Sequence, residues 1–229
     1  TPTTTNYFNA SFLINPDGKL ENSYRKRGLV IFGEYIPLER WLPFIKWFTP
    51  ITGSYTAGTG PVPFELTTQG NGGPPEKVHT SVLICFEDVF PHLARKSVDP
   101  DTDFLVNITN DGWFGEGAAQ WQQAAAATFR TIENGVPLIR CANTGITCWI
   151  DRYGRWQQVF TDKNGTVYGV GFMHATVPLP DSHPQTFYNR HGDVFGWACV
   201  ALTGIILIGQ LRSRAARKNA PTAAPSATH

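Results

Sequence analysis

A cysteine ends an apolar run and is followed at once by two acidic residues, in the segment Leu83-Ile-Cys85-Phe-Glu87-Asp88. The run predicts a strand and the next residues a short helix, so Cys85 would lie where exposed backbone N–H groups favour the thiolate. A thiolate there is a nucleophile, and the N–H of Phe86 would point toward an oxyanion on the attacked group. The same pattern fits a buried structural cysteine, the commoner environment of a free thiol.

A second polar segment opens with three cations and closes with a carboxylate. Tyr24-Arg-Lys26-Arg precedes an apolar run, and Gly33-Glu34-Tyr35 follows it just before a proline. On its own the basic group predicts a solvated loop, and Glu34 predicts a cap or a surface carboxylate. Any chemistry here therefore depends on what the fold brings beside it.

The other polar residues predict no metal or cofactor. The six histidines show no paired ligand spacing, and there is no glycine-rich phosphate loop. Cys141 and Cys148 flank a predicted hairpin. A disulfide between them fits an oxidising compartment, but two buried free thiols are favoured because spacing alone fixes no disulfide geometry.

The chain is long and apolar enough to position these residues on a folded core. Of its 229 residues, 41% are hydrophobic and 16% charged, which excludes a disordered chain. Helices are predicted at residues 89–97 and 118–133, the second with Trp121, Ala125, Phe129 and Ile132 at helical spacing. Residues 41–65 are predicted as a long loop. Strands are predicted at residues 10–14, 29–32, 79–85, 104–110, 137–141, 145–151, 156–160 and 167–177. This order predicts an α/β or α+β body.

The end of the chain differs from this body in charge and hydropathy. Residues 194–211 carry no charge, and four basic residues but no acidic one follow. A helix of 18 residues is about 27 Å long, close to the roughly 30 Å of a bilayer core. A buried core helix also fits, but the basic cluster and the low-complexity tail favour a membrane span. The net charge of +1 divides into −3 for residues 1–193 and +4 for the rest, which predicts a cytoplasmic tail at residues 212–229.

Together these segments resemble one protein family. Lys26, Glu34 and Cys85 are similar to the Glu-Lys-Cys catalytic pattern of the nitrilase, or carbon–nitrogen hydrolase, superfamily. The whole pattern resembles, more narrowly, its apolipoprotein N-acyltransferase branch. The other matching segments are residues 24–27, 32–37, 84–87, 110–115, 130–133, 140–145 and 186–193.

The resemblance implies a fold and a domain order. Residues 1–185 would form a nitrilase-like catalytic domain of the α/β class, a four-layer α-β-β-α sandwich without its first strand and helix. A juxtamembrane segment at residues 186–193 and one transmembrane helix at residues 194–211 would follow. The domain would lie on the periplasmic side of a bacterial inner membrane, and the protein would be a monomer.

The resemblance also implies an activity. An acyl chain, usually from the sn-1 position of a phospholipid, would pass through a cysteine thioester to the α-amine of an S-diacylglyceryl cysteine on an apolipoprotein. Phospholipid, apolipoprotein and membrane are thus the expected partners, with no nucleic acid, cofactor or metal.

Each matched residue takes a role from the resemblance. Cys85 would be the nucleophile, Lys26 would stabilise the oxyanion, and Glu34 would support the lysine. Glu87 would position the nucleophile, and Phe86, where the family often has Tyr, would supply its backbone N–H.

Aromatic residues are the expected substrate contacts. Tyr35, Trp113 and Phe114 would bind substrate, the last two as a wall of the acyl pocket, although core packing explains them equally well. Residues 41–48 fit a lipid-facing arm or, equally, core packing.

One catalytic group of the family has no match. Its general-base glutamate lies on a strand before residues 10–14, and neither Glu21 nor Glu34 has the context to replace it. We therefore expect a C-terminal fragment that is inactive alone, because positioned acid–base help contributes ~10²–10⁴-fold. Two alternatives stay open: an anchored amidase or nitrilase-type hydrolase, and a non-catalytic lipid- or lipoprotein-binding domain.

Overall fold

The computed structural model describes residues 5–38, 41, 44, 47, 51, 53–69, 75–179 and 184–218. The chain divides into two compact units, Thr1–Arg190 and His191–His229. The strands are β1 (Ala10–Ile14), β2 (Leu20–Arg25), β3 (Pro63–Gln69), β4 (Pro75–Ile84), β5 (Phe104–Asn110), β6 (Leu138–Asn143), β7 (Cys148–Ile150) and β8 (Trp156–Val159). The helices are α1 (Pro91–Ser97), α2 (Ala118–Asn134), α3 (Phe187–His191) and α4 (Val194–Lys218).

A six-stranded sheet with the order β3-β4-β5-β6-β7-β8 forms the centre of the first unit. Strands β4, β5 and β6 are parallel, and the outer pairings are antiparallel. The carboxyl ends of parallel strands meet at one edge of a sheet, where sites in α/β folds commonly lie. Cys85, Asp111 and Thr144 follow β4, β5 and β6 at this edge.

Two apolar clusters cover opposite faces of this sheet, because neighbouring strand residues point to opposite sides. On one face, Leu83 and Leu105 pack with Ala94 of α1 and Ala124 of α2. On the other face, Val82 and Ile84 pack with Tyr24 of the antiparallel β1–β2 pair. The α/β class is therefore confirmed, and the described elements supply a helical layer and two sheet layers.

The side of helix α2 that is buried is not the apolar side that the sequence pattern predicts. Trp121, Phe129 and Ile132 are exposed, whereas the buried residues are Gln120, Gln123, Ala124, Ala127, Arg130, Thr131 and Asn134. The polar ones are buried because they have partners: Gln123 donates to Asp88, and Arg130 donates to the Val89 carbonyl.

Several predicted elements need correction. Strands β2 and β3 had not been predicted, since β2 buries little beyond Tyr24 and therefore reads as polar, and β3 starts inside the predicted loop. Residues 167–177 form no strand, and the Asp162 and Phe160 side chains fill the space beside Gly169 and Gly171. Residues 29–32 form no strand and lead into a turn in which the Val30 carbonyl accepts from the N–H groups of residues 33–35.

The second unit contains the apolar helix. The segment Val194–Arg214 has 21 residues and a mean hydropathy of 2.0, so it is long and apolar enough to cross a membrane. The helix continues to Lys218, past the predicted end at residue 211, and residues 219–229 of the predicted tail lie outside the described residues.

Candidate active site

Cys85 is the first residue of a 3-10 helix, Cys85–Val89, which we call the cysteine turn. Its φ is 53°, in the left-handed region, which costs about 1–3 kcal/mol for a residue with a side chain. The amide of Asn107 in β5 donates to the carbonyls of Leu83 (3.2 Å) and Cys85 (3.0 Å). Strand β5 thus fixes the backbone at Cys85, whose thiol is half-buried.

Glu87 joins the cysteine turn to the end of β2. It is fully buried, and its carboxylate accepts from the backbone N–H groups of Ile84 (2.7 Å), Arg27 (2.7 Å) and Gly28 (2.9 Å). The Tyr24 hydroxyl donates to both of its oxygens. Burial, followed by the nearby Glu87 charge, raises the pKa of Tyr24 to about 12, so this hydroxyl keeps its proton.

Lys26 and Glu34 form a close ion pair. The Lys26 Nζ lies 2.6 Å from the Glu34 Oε2, and the lysine is only 1% exposed. The same carboxylate accepts from the Asn9 amide and from the Val30 N–H. Burial raises the pKa of Glu34, but the hydrogen bonds from Lys26, Asn9 and Val30 outweigh it and hold that pKa below its ordinary value. Glu34 is therefore an ionised partner of Lys26 and a weak base.

One cavity of about 780 Å³ is lined by six of the eight predicted site residues. It is lined by Asn9, Lys26, Val30, Gly33, Glu34, Ile51, Tyr55, Ile84, Cys85, Phe86, Ile108, Thr109, Asn110, Trp113 and Phe114. Trp113 and Phe114 come from the 3-10 helix Asp111–Phe114, which we call the tryptophan turn. Both are exposed, which argues against core packing. Half-buried Tyr35 is not in this lining set, and Glu87 supports the cavity from within the protein.

This arrangement suits covalent acyl chemistry. Cys85, the buried Lys26 and Phe86, the residue after the cysteine, line one mostly apolar cavity. A nucleophile and the donors that stabilise its oxyanion require such a shared site. Among the described residues, no group of three His, Cys, Asp or Glu side chains is placed to hold a metal ion.

The sequence prediction gave no role to the buried charge cluster behind the cysteine turn. Arg140 in β6 is fully buried and forms ion pairs with Asp88 and Asp111, which are fully buried as well. An arginine inside the apolar strand Leu138-Ile-Arg140-Cys-Ala was the available signal, since a buried cation requires partners.

The other predicted features have mixed outcomes. All four cysteines are free: Cys148 is buried, which raises its thiol pKa to about 12, whereas Cys141 is exposed. Arg140 pairs across the strands with Cys148, so Cys141 points to the opposite face of the sheet. In the predicted arm, Trp41, Phe44 and Trp47 are exposed, and the rest of residues 41–48 lies outside the described part of the chain.

Known proteins resemble this chain over most of its length. A family model described as carbon-nitrogen hydrolase matches residues 2–181. The apolipoprotein N-acyltransferase of Geobacter metallireducens is 38% identical over 200 residues, which cover 87% of this chain and 35% of that protein. The apolipoprotein N-acyltransferase of Chlorobaculum tepidum is 33% identical over 218 residues, which cover 90% of this chain and 38% of that protein.

Among solved structures, a mutant of the Nesterenkonia AN1 amidase, from the nitrilase superfamily, is 17% identical with a TM-score of 0.42. That match covers 66% of this chain and 51% of the amidase. The chain spans little more than a third of the length of the two curated relatives.

Proposed function

Since the chain belongs to the carbon–nitrogen hydrolase family, we propose that it carries the cysteine of an apolipoprotein N-acyltransferase. The reaction would move an acyl chain from a phospholipid to the α-amine of an S-diacylglyceryl cysteine on an apolipoprotein. The names of the two relatives, similar over 87% and 90% of this chain, support this choice.

One observation carries the proposal: Cys85, Lys26 and Phe86 line the same apolar cavity as Trp113 and Phe114. An acyl chain needs an apolar surface, whereas a small amide does not. Two reactions through a thioester also divide one difficult transfer into easier steps.

In the first step, the Cys85 thiolate attacks the carbonyl carbon of a phospholipid ester. The oxyanion that forms would accept hydrogen bonds from the Lys26 ammonium and the Phe86 N–H. Glu34 keeps the buried ammonium in place through the 2.6 Å contact. When the intermediate collapses, the C–O bond breaks and the lysophospholipid oxygen takes the proton that Cys85 had given to its acceptor. The lysophospholipid leaves, and the thioester remains.

In the second step, the α-amine of the lipoprotein cysteine attacks the thioester. The same two donors would stabilise the new oxyanion, and the proton acceptor of Cys85 would take a proton from the amine. The C–S bond then breaks, and the Cys85 thiolate is restored as the amide forms. An acyl chain that lies along the apolar wall would exclude water from the thioester, which would favour the amine over hydrolysis.

The proton acceptor for Cys85 is proposed to lie outside this chain. Among the described residues that line the cavity, Glu34 is the single carboxylate, and its pKa is held low by Lys26. Glu87 already accepts backbone and tyrosine hydrogen bonds. Residues 1–229 alone would therefore be inactive.

The membrane arrangement completes the proposal. Residues 194–211 would span a bacterial inner membrane, with residues 212–229 as a cytoplasmic tail and residues 1–185 as a periplasmic catalytic domain, acting as a monomer. The apolar window Val194–Arg214 and the basic residues at its end support this orientation.

The test uses the complete polypeptide that contains this chain, in proteoliposomes with a phospholipid labelled in its sn-1 acyl chain. A peptide with an N-terminal S-diacylglyceryl cysteine is added, and its α-amine should gain the label in an amide bond. Release of ammonia from small amides without any labelled peptide would instead support the hydrolase. Residues 1–229 alone should label no peptide, and full activity there would refute the external base.

A further inference from the structure

Arg140 is a buried cation that the proposed reaction does not use. It lies inside β6 with no exposed surface, and its guanidinium donates in four directions. Nη1 donates to Asp88 and to the Asn107 side chain at 2.7 Å, Nη2 donates to Asp111 at 2.9 Å, and Nε donates to the Ile146 carbonyl at 3.1 Å. A buried charge with this many partners fixes the geometry around it.

The two acidic partners of Arg140 belong to different turns. Asp88 belongs to the cysteine turn after β4, and Asp111 begins the tryptophan turn after β5. The second oxygen of Asp88 accepts from Gln123, and that of Asp111 accepts from Thr109 at 2.8 Å. Each carboxylate is thus held from two sides, and Arg140 is the group that both share.

A third partner extends the connection to the nucleophile. The oxygen of the Asn107 side chain accepts from Arg140, while its nitrogen donates to the Cys85 carbonyl. Arg140 therefore reaches the backbone of Cys85 through Asn107 and the same turn through Asp88.

We propose that Arg140 is a positioning residue that clamps the cysteine turn to the tryptophan turn. The clamp fixes the Cys85 thiol relative to the wall formed by Trp113 and Phe114, and so sets which chain lengths react well. The inference takes from the proposed function only that this wall is the surface along which an acyl chain lies. Arginine suits the task because its planar fork holds two carboxylates at a set separation, which the single ammonium of lysine does not.

A purely structural role for Arg140 makes a different prediction. Loss of a buried ion pair lowers stability, and a purely structural effect would change the rates of both Cys85 reactions by a similar factor. Loss of a clamp changes the relation between thiol and wall, so reagents with long and short chains are affected unequally. The ratio of two rates therefore separates the two roles.

The experiment measures alkylation of Cys85 by N-methylmaleimide and N-dodecylmaleimide in the complete polypeptide, in detergent. Cys141 and Cys199 are exposed and are replaced by serine in every variant. Mass spectrometry of the Cys85 peptide gives each rate. Because only the ratio of the two rates is compared between variants, partition of the dodecyl reagent into micelles cancels.

Arg140→Lys should lower the dodecyl-to-methyl ratio by at least about tenfold, since a displacement near 1 Å can cost ~10²-fold in a positioned reaction. Asp111→Asn should lower it in the same direction and carries the test if Arg140→Lys does not fold. The matched control is Arg95→Lys, which alters an arginine bound to the carbonyls of Asn189 and Arg190, and should leave the ratio unchanged.

An unchanged ratio in a folded Arg140→Lys protein would overturn the clamp. The maleimides need neither phospholipid nor a general base. A lowered ratio in a protein that never acylates lipopeptide would therefore reject the proposed function and retain the clamp.

Discussion

The Nζ atom of Lys26 lies 2.6 Å from Oε2 of Glu34, and the lysine side chain is only 1% exposed. A buried ammonium is stable in this place because the carboxylate compensates its lost hydration. The pair therefore stabilises the fold and supplies a positive charge to the cavity that contains Cys85.

Glu34→Gln should lower both stability and acyl transfer. Removing one partner of a buried ion pair costs about 3–5 kcal/mol, and the partial exposure of Glu34 places its loss at or below the lower end. Denaturant unfolding and the rate of peptide labelling check the two effects. The matched control is Glu65→Gln, which breaks an exposed pair with Lys77 (2.8 Å) and should change neither measurement appreciably. Equal effects of the two substitutions would contradict the role of the buried pair.

The stability due to Glu34 should depend on pH in a defined direction. Its pKa in the folded protein is lower than the ordinary value of 4.5, so the unfolded state binds the proton more readily. The contribution is fully present well above pH 4.5 and is lost as the pH falls through the folded-state pKa. The difference in unfolding free energy between wild type and Glu34→Gln, measured from pH 7 downward, should shrink only in the acid range. A difference that grows on acidification would refute the assignment.

Tyr24→Phe should destabilise the protein by about 1.5–3 kcal/mol, since a buried hydrogen bond to a charged group is lost. The hydroxyl donates to the Glu87 carboxylate, which also holds the backbone after Lys26. Thermal or denaturant unfolding measures the loss. Tyr153→Phe removes an exposed hydroxyl bound to Arg152 and is the control with little expected change. A Tyr24→Phe protein as stable as this control would show that Glu87 does not need the hydroxyl.

The positive φ of Cys85 predicts an unusual order of stability. Glycine adopts this conformation without strain, so Cys85→Gly should be more stable than Cys85→Ala by about 1 kcal/mol. At Cys141, inside β6, the order should be reversed because glycine weakens a strand interior. Unfolding free energies of the four variants check both signs. A Cys85→Ala protein at least as stable as Cys85→Gly would mean that Cys85 is unstrained.

The periodicity of apolar residues correctly predicted several strands and the long helix. The strand at residues 104–110 was predicted with the observed bounds, and the long helix differs from prediction by one residue at its end. Cys85 was expected at a strand end, and the strand ends at Ile84. The carbon–nitrogen hydrolase fold is likewise confirmed, because the family model matches residues 2–181.

The unpredicted parts depend on contacts between distant segments. Nothing near Arg140 indicates that Asp88 and Asp111 converge on it, since this follows from the parallel order of β4, β5 and β6. The buried side of helix α2 could not be predicted for the same reason. Its polar side is buried because Gln123 and Arg130 donate to Asp88 and Val89. Hydrogen bonds to residues distant in sequence, and not the apolar periodicity, therefore decide which side of this helix is buried.

The most direct test of the account is the detection of an acyl thioester on Cys85. The complete polypeptide is incubated with phospholipid but without acceptor and is then digested. The mass of the Cys85 peptide is measured by mass spectrometry before and after treatment with hydroxylamine. We predict the mass of one fatty acyl group on that peptide, removed by hydroxylamine and absent in Cys85→Ala. Acylation of a lipopeptide by a protein whose Cys85 never carries an acyl group would contradict the account.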